Sequence, residues 1–518
     1  MGDRADARAA EIVETANGRV RGTQQDGIRV FRGLRYGAST AGANRFRPPQ
    51  PVEPWTGVLD ATAYGETAPQ TFTRLALGGT KGNRPAIGED CLCLNVWTPA
   101  CDDGKRPVMV WLHGGGFEAG TGSMALYDGS NVARRGDVVV VTINHRLNVF
   151  GHCHLAGLAG EEFAGSANAG YLDVVAALEW VRDNISAFGG DPGCVTIYGQ
   201  SGGGRKVSIS MAAPAARGLF HRAIVQSGSH LRLIELDRAE AMTAALLDAL
   251  EIPHQQARRL QDVPMQTLID TSARIRGRFS PTLDGVVFDR HPWAPDAPAL
   301  SADIPMIVGT CRTELSNQVG SMDPSTFDIT ETELPSRLER YVDAGDVPAL
   351  VDLVRQSSPD APAPEVFFTI ITARGYWLDS VMQTERKAAQ ATEGGAPVYS
   401  YRLMWRTPVE GGRRISPHSL DLPFVFDNVT IAPDMVGPPT DETAAMAGAM
   451  SESWIAFART GDPNHAAIPE WAPYDVDRRA VLHFDVPPVA VDDPHRGERL
   501  AMSRYDTQQA RGRVLHRS

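Results

Sequence analysis

The chain has 518 residues, with 50 Lys+Arg against 62 Asp+Glu for a net charge of −12, and 42% of it is hydrophobic, so it can bury a large core. A pI near 5.6 opposes nucleic acid, which needs a basic stripe, and no run approaches the 18 or so apolar residues of a membrane-spanning helix. The N-terminal stretch MGDRADARAAEI lacks an apolar leader core. Six sparse cysteines (91, 93, 101, 153, 194 and 311) form no CxxC pair, which suggests neither a disulfide framework nor a zinc site and favours a cytoplasmic, reducing compartment.

Residues 11–36 alternate apolar and polar around Asn17-Gly18 and Asp26-Gly27, which predicts an antiparallel meander, because those dipeptides suit tight hairpin turns. β-Branched runs then predict buried strands at Val108–Leu112, Val138–Ile143, Val195–Tyr198, Ala223–Val225, Pro305–Val308 and Val398–Leu403. Helical patterns lie between them, notably Tyr171–Asn184. The alternation specifies an α/β fold with a large, mostly parallel sheet flanked by helices. Residues 232–300 and 316–395 read as helical insertions that could form a cap, and a helix near Glu442–Thr460 ends before Gly461. One elaborated domain over 1–518 is the simplest organisation.

The strand Val195–Tyr198 runs into Gly199-Gln-Ser201-Gly-Gly203, a GxSxG turn that would expose a strained serine between strand and helix. Another strand ends in His113-Gly114-Gly115-Gly116-Phe117. Consecutive glycines let backbone N–H groups approach a substrate oxygen, so Gly115, Gly116 and Gly202 are the candidate oxyanion donors. A serine of this kind is followed in the chain by an acid and then a histidine. Glu314 follows the Pro305–Val308 strand, Asp303 precedes it at the wrong edge, and Asp323 is a rival further on. Among His418, His465, His483, His495 and His516, only His418 lies in a loop beyond a strand. Ser201, Glu314 and His418 are therefore the expected catalytic set.

These motifs resemble the type-B carboxylesterases, a family that includes cholinesterases and bacterial para-nitrobenzyl esterases. The resemblance also rests on Arg45-Phe-Arg-Pro-Pro-Gln, Glu89-Asp-Cys-Leu-Cys-Leu-Asn-Val-Trp97, the segment Trp180 to Pro192, His418-Ser-Leu-Asp-Leu-Pro-Phe, and Trp454 to Asn464. It implies an α/β-hydrolase fold, a Ser201-Glu314-His418 triad and oxyanion donors at Gly115, Gly116 and Gly202. It also maps an orienting serine near the triad acid onto Ser227.

Departures from the family pattern are informative. The family's elbow usually reads GESAG; here Gln200 replaces the glutamate, removing a charge beside the nucleophile. Arg205 and Lys206 stand where small residues are common, and they are expected in structural salt bridges, with recognition of an acidic substrate group as the alternative. The family's first disulfide joins the EDC cysteine to a CPQ cysteine, but Ala68-Pro69-Gln70 leaves Cys91 without that partner. Residues 65–88 hold no Trp, and Phe72 is their one aromatic, so choline esters are expected to be poor substrates. His152-Cys153-His154 is read as an ordinary loop rather than a metal site.

The expected reaction is hydrolysis of a small-molecule or polymeric carboxylic ester through an acyl-enzyme, with no metal or cofactor required. A polyester, carbamate or amide on the same triad is the alternative, and a non-catalytic binding protein the remote one. Oligomeric state is left open.

Overall fold

In the computed structural model, which describes residues 11–71 and 86–511, β-branched runs bounded by glycine turns form the strands. The chain divides into two compact units, residues 1–222 with 233–291 and residues 223–232 with 292–518. The readings made for the N-terminal leader, Phe72 and His516 lie outside the described residues.

In the first unit, β1 (Ile12–Thr15) and β2 (Gly18–Arg21) form a hairpin, and β3 (Thr23–Gln25) and β4 (Ile28–Arg35) form another. They are two hairpins rather than one meander. The chain breaks at Gly22, where a Cβ would stand 2.7 Å from the Phe31 ring; β2 then pairs with β5 (Val58–Asp60) in a small separate sheet.

The unit's larger sheet continues through β6 (Cys93–Thr98), β7 (Arg106–Leu112), β8 (Val139–Ile143) and β9 (Gly190–Gln200), in the order β9-β7-β8-β6-β4-β3. β9, β7 and β8 are parallel, whereas β6, β4 and β3 are antiparallel. Helix Ala169–Asn184 includes the predicted helical run. The insertion after residue 232 contains helices Leu236–Ala249 and Met265–Ser272, which bury Leu246, Leu247 and Leu268 with Phe46 and Phe150.

The second unit orders its strands β14-β13-β12-β11-β10: β10 (Arg222–Gln226), β11 (Met306–Cys311), β12 (Val398–Leu403) and β13 (Ala480–Phe484) are parallel, and β14 (Val489–Asp492) is antiparallel. The predicted helical insertion supplies helices Val347–Ser357, Ala363–Thr372 and Leu378–Thr392, with Phe367, Phe368 and Ile371 in its apolar core. Helix Asp441–Thr460 stops at Gly461, whose φ of +83° is left-handed.

Among the described residues, no helix is long and apolar enough to cross a membrane.

Candidate active site

β7 and β9 pair in parallel register with Leu112 opposite Gly199, so His113–Gly116 and the Ser201 turn leave the sheet at the same carboxyl edge. Ser201 has φ 58° and ψ −121°, an unfavourable conformation for a residue with a side chain, and helix Gly202–Ser210 begins directly after it. Close packing of strand and helix explains the flanking glycines: a Cβ on Gly203 would stand 1.8 Å from the Leu112 carbonyl oxygen. Gly202 occupies the first helical position, where an N–H has no intrahelical acceptor and the helix dipole favours negative charge.

The glycine loop lies against this helix. Gly115 and Gly116 have φ of +97° and +69°, and a Cβ on Gly202 would stand 2.2 Å from Gly116 O and 2.4 Å from Gly116 N. His113 donates from Nδ1 to Gly114 O at 2.8 Å and stacks on His145 with ring centroids 4.7 Å apart. Gln70 of the Ala68-Pro69-Gln70 segment accepts from Gly120 N at 2.7 Å and donates to Gly120 O at 2.8 Å. Gln200 is buried beside the loop, with its carbonyl 3.1 Å from where a Gly114 Cβ would be.

Lys206 departs from expectation. Among the described residues it makes no salt bridge. Its Nζ donates to His113 O at 2.9 Å and Gly116 O at 3.2 Å, because the side chain is buried where loop carbonyls, not carboxylates, come within reach. Burial, reinforced by the Arg205 charge, pushes its pKa down to about 7. Burial also pushes His113 down to about 3, with Lys206 adding to the effect, so that imidazole is neutral.

In the second unit, Gln226 of β10 pairs with Gly309 of β11, and Cys311 pairs with Leu403 of β12. Ser227, Glu314 and His418 all lie on segments beyond these strand ends. Thr313 N donates to Ser416 O at 3.0 Å, and Ser416 N donates to Thr313 Oγ1 at 2.9 Å, tying the two loops together. His418 Nδ1 lies 2.5 Å from Glu314 Oε2. The other carboxylate oxygen accepts from Ser227 Oγ at 2.6 Å and from Cys311 N at 2.7 Å. Asn317 Nδ2 donates to His418 O at 2.8 Å, and the Tyr376 ring packs 5.0 Å from the imidazole.

The rival acids and histidines have other partners. Asp323 caps the turn Pro324–Phe327 and pairs with Arg337 at 3.0 Å; the Ser325 hydrogen bond, with Arg337 second, holds its carboxyl below the usual range. Asp303 is exposed ahead of β11. His465 meets Glu452 and Ser453, His483 lies in β13, and His495 meets Glu498. His152 contacts Ala167 O, Cys153 contacts Thr243, and His154 approaches Glu240. Cys91 is buried as a free thiol.

Sequence reasoning left out Asp421, although it lies in the quoted His418-Ser-Leu-Asp segment. Its buried carboxylate accepts from Gln226 Nε2 at 2.7 Å and Tyr401 OH at 3.1 Å. Burial pushes its pKa up to about 6, offset in part by the Gln226 hydrogen bond and raised further by Glu314. The signal was hidden because Gln226 stands 195 residues away in the chain. Tyr376 and Asn317 had no motif to mark them.

Residues 9–503 match the model of the Carboxylesterase family. The chain is 36% identical over 501 residues to the para-nitrobenzyl esterase of Bacillus subtilis (strain 168), covering 94% of this chain and 98% of that protein. It is 34% identical over 491 residues to the phenmedipham hydrolase of Pseudarthrobacter oxydans, covering 91% and 94%. A crystal structure of a Geobacillus stearothermophilus carboxylesterase at pH 6.2 superposes with a TM-score of 0.82 and 38% identity, covering 95% of this chain and 99% of that one. Matches of this length take in both units, and the chain belongs to the carboxylesterase family, as an ester-hydrolysing enzyme of the α/β-hydrolase fold.

Proposed function

We propose that Ser201 is the nucleophile, His418 the general base and Glu314 the orienting acid, with the whole chain working as one hydrolase domain. The observation that carries this reading is the buried Glu314 carboxylate, held through one oxygen by Ser227 and Cys311 and presenting the other to His418 Nδ1. With Nδ1–H directed at the carboxylate, Nε2 is the basic nitrogen. It takes the Ser201 hydroxyl proton as Oγ bonds to the ester carbonyl carbon. The carbonyl oxygen becomes an oxyanion on the amides of Gly115, Gly116 and Gly202, where one donor is typically worth about 100- to 1000-fold in rate.

Collapse breaks the carbon–oxygen bond to the alcohol, which leaves with the proton from His418. Water then adds to the acyl-enzyme, losing a proton to His418, and the acid departs as Ser201 recovers its hydrogen. Ser227 orients Glu314, and Gln200 supports the elbow without a charge.

Substrates are carboxylic esters, small-molecule or polymeric, and we place the enzyme in the cytoplasm, a reading supported by the buried free thiol of Cys91. The phenmedipham hydrolase similarity favours carbamates as a second substrate class. A panel of nitrophenyl esters, carbamates and polyester films, with Ser201→Ala as the blank, tests the reading. Turnover of esters that vanishes in the blank supports it, and equal turnover by both proteins overturns it.

A further inference from the structure

Lys206 of the elbow helix bonds the glycine loop at both ends. It lies in the second turn, and its chain runs back toward the helix N-terminus, the direction helical side chains take. Its Nζ meets His113 O at 2.9 Å and Gly116 O at 3.2 Å. Those carbonyls belong to the peptide planes that bracket the loop. Between them lie the two planes carrying the Gly115 and Gly116 N–H groups. Each intervening residue is glycine, so little in the loop's own covalent structure fixes the direction of those donors. The same Gly116 carbonyl sits where a Cβ on Gly202 would be, and the family's usual elbow carries alanine there.

We propose that Lys206 is a positioning residue of the oxyanion hole: its ammonium clamps the His113 and Gly116 carbonyls so that the Gly115 and Gly116 amides point at the developing oxyanion. This rests on the assignment of those amides as oxyanion donors. Charge points the same way as geometry. Lys206 is buried, a costly place for an ammonium. The ionisable groups acting on it or affected by it are Arg205 on its own helix and His113, His145 and His152 around it. Burial lowers the pKa of all three histidines and keeps them neutral. The Phe117 ring lies 5.5 Å from Nζ, a cation–π contact that suits a charged amine. The positive charge therefore lies beneath the loop where negative charge develops.

The test compares wild type, Lys206→Met and Lys206→Gln with a nitrophenyl acetate assay and a trifluoromethyl ketone, which forms a tetrahedral adduct on the serine. In Lys206→Met, kcat/KM falls about 100-fold, mainly through kcat, and the ketone Ki rises by a similar factor, as expected for loss of an interaction made only in the transition state. Lys206→Gln, which keeps an N–H donor without the charge, falls between. A purely structural role lowers Tm without this parallel.

The unsubstituted enzyme carries the test if the variants do not fold. As pH rises through about 7 the amine loses its proton, so wild-type kcat/KM falls on its alkaline side and the ketone Ki rises with it. Folded Lys206→Met with both constants within about two-fold of wild type overturns the proposal, as does a wild-type profile flat to pH 9 or so. If Ser201→Ala also keeps its activity, the underlying acyl-enzyme reading fails instead.

Discussion

Ser227 Oγ donates to Glu314 Oε1 at 2.6 Å, and this contact divides the work of one carboxylate: Oε1 is held by Ser227 and the Cys311 amide, while Oε2 faces His418. Removing the hydroxyl leaves Oε1 with the Cys311 amide. Ser227→Ala is expected to lower kcat about ten-fold with little change in KM, the size of one hydrogen bond to a charged group. Steady-state kinetics on a nitrophenyl ester measures it; an unchanged kcat contradicts an orienting role.

Glu314→Gln preserves shape but removes the charge that the proposed mechanism uses to support imidazolium, so a loss of about 10⁴-fold in kcat is expected. Asp323→Asn serves as the control. Its carboxylate is engaged by Ser325 and Arg337, and its removal leaves kcat near wild type. The reverse pattern would reassign the acid.

Asp421 links the site to stability. Its folded pKa is about 6 against 3.8 for the free side chain, so the folded protein binds the proton more tightly. Stability from this group is full below about pH 4, falls as pH rises to about 6 and is constant above, a change of order 3 kcal/mol. Asp421→Asn removes that decline. Urea unfolding midpoints between pH 4 and 6 show it, and identical slopes for wild type and variant refute it.

Gly202→Ala introduces the residue usual in the family, yet here its Cβ would meet Gly116 O at 2.2 Å. The loop must retreat, and displacement near 1 Å costs about 100-fold. A folded variant within about two-fold of wild-type kcat/KM shows that the loop has no need of this approach.

The strands, the strand-to-helix turn at Ser201 and the segments that carry Glu314 and His418 were legible because each is a local pattern: β-branched runs, flanking glycines, a loop after a strand. Distant polar pairings were not. Arg45 and Glu89 belong to separate conspicuous motifs, and their role emerges only as a buried pair 2.5 Å apart, with Arg45 also donating to Gln261 O and Val263 O. Lys206 was visible as an oddity, but charge type alone suggested a carboxylate partner, whereas burial beside a glycine loop supplied carbonyls. The N-terminal alternation gave the hairpins but not their assignment to two sheets, which follows from β2 pairing with β5, a strand some 40 residues further along the chain.

The central claim is a covalent acyl-enzyme on Ser201. Intact-protein mass spectrometry after brief exposure to a fluorophosphonate, followed by peptide mapping, tests it most directly. The account predicts one adduct per chain on the peptide containing Ser201, appearing as esterase activity disappears and absent from Ser201→Ala. An adduct on another residue, with Ser201→Ala still hydrolysing nitrophenyl esters at the wild-type rate, would contradict it.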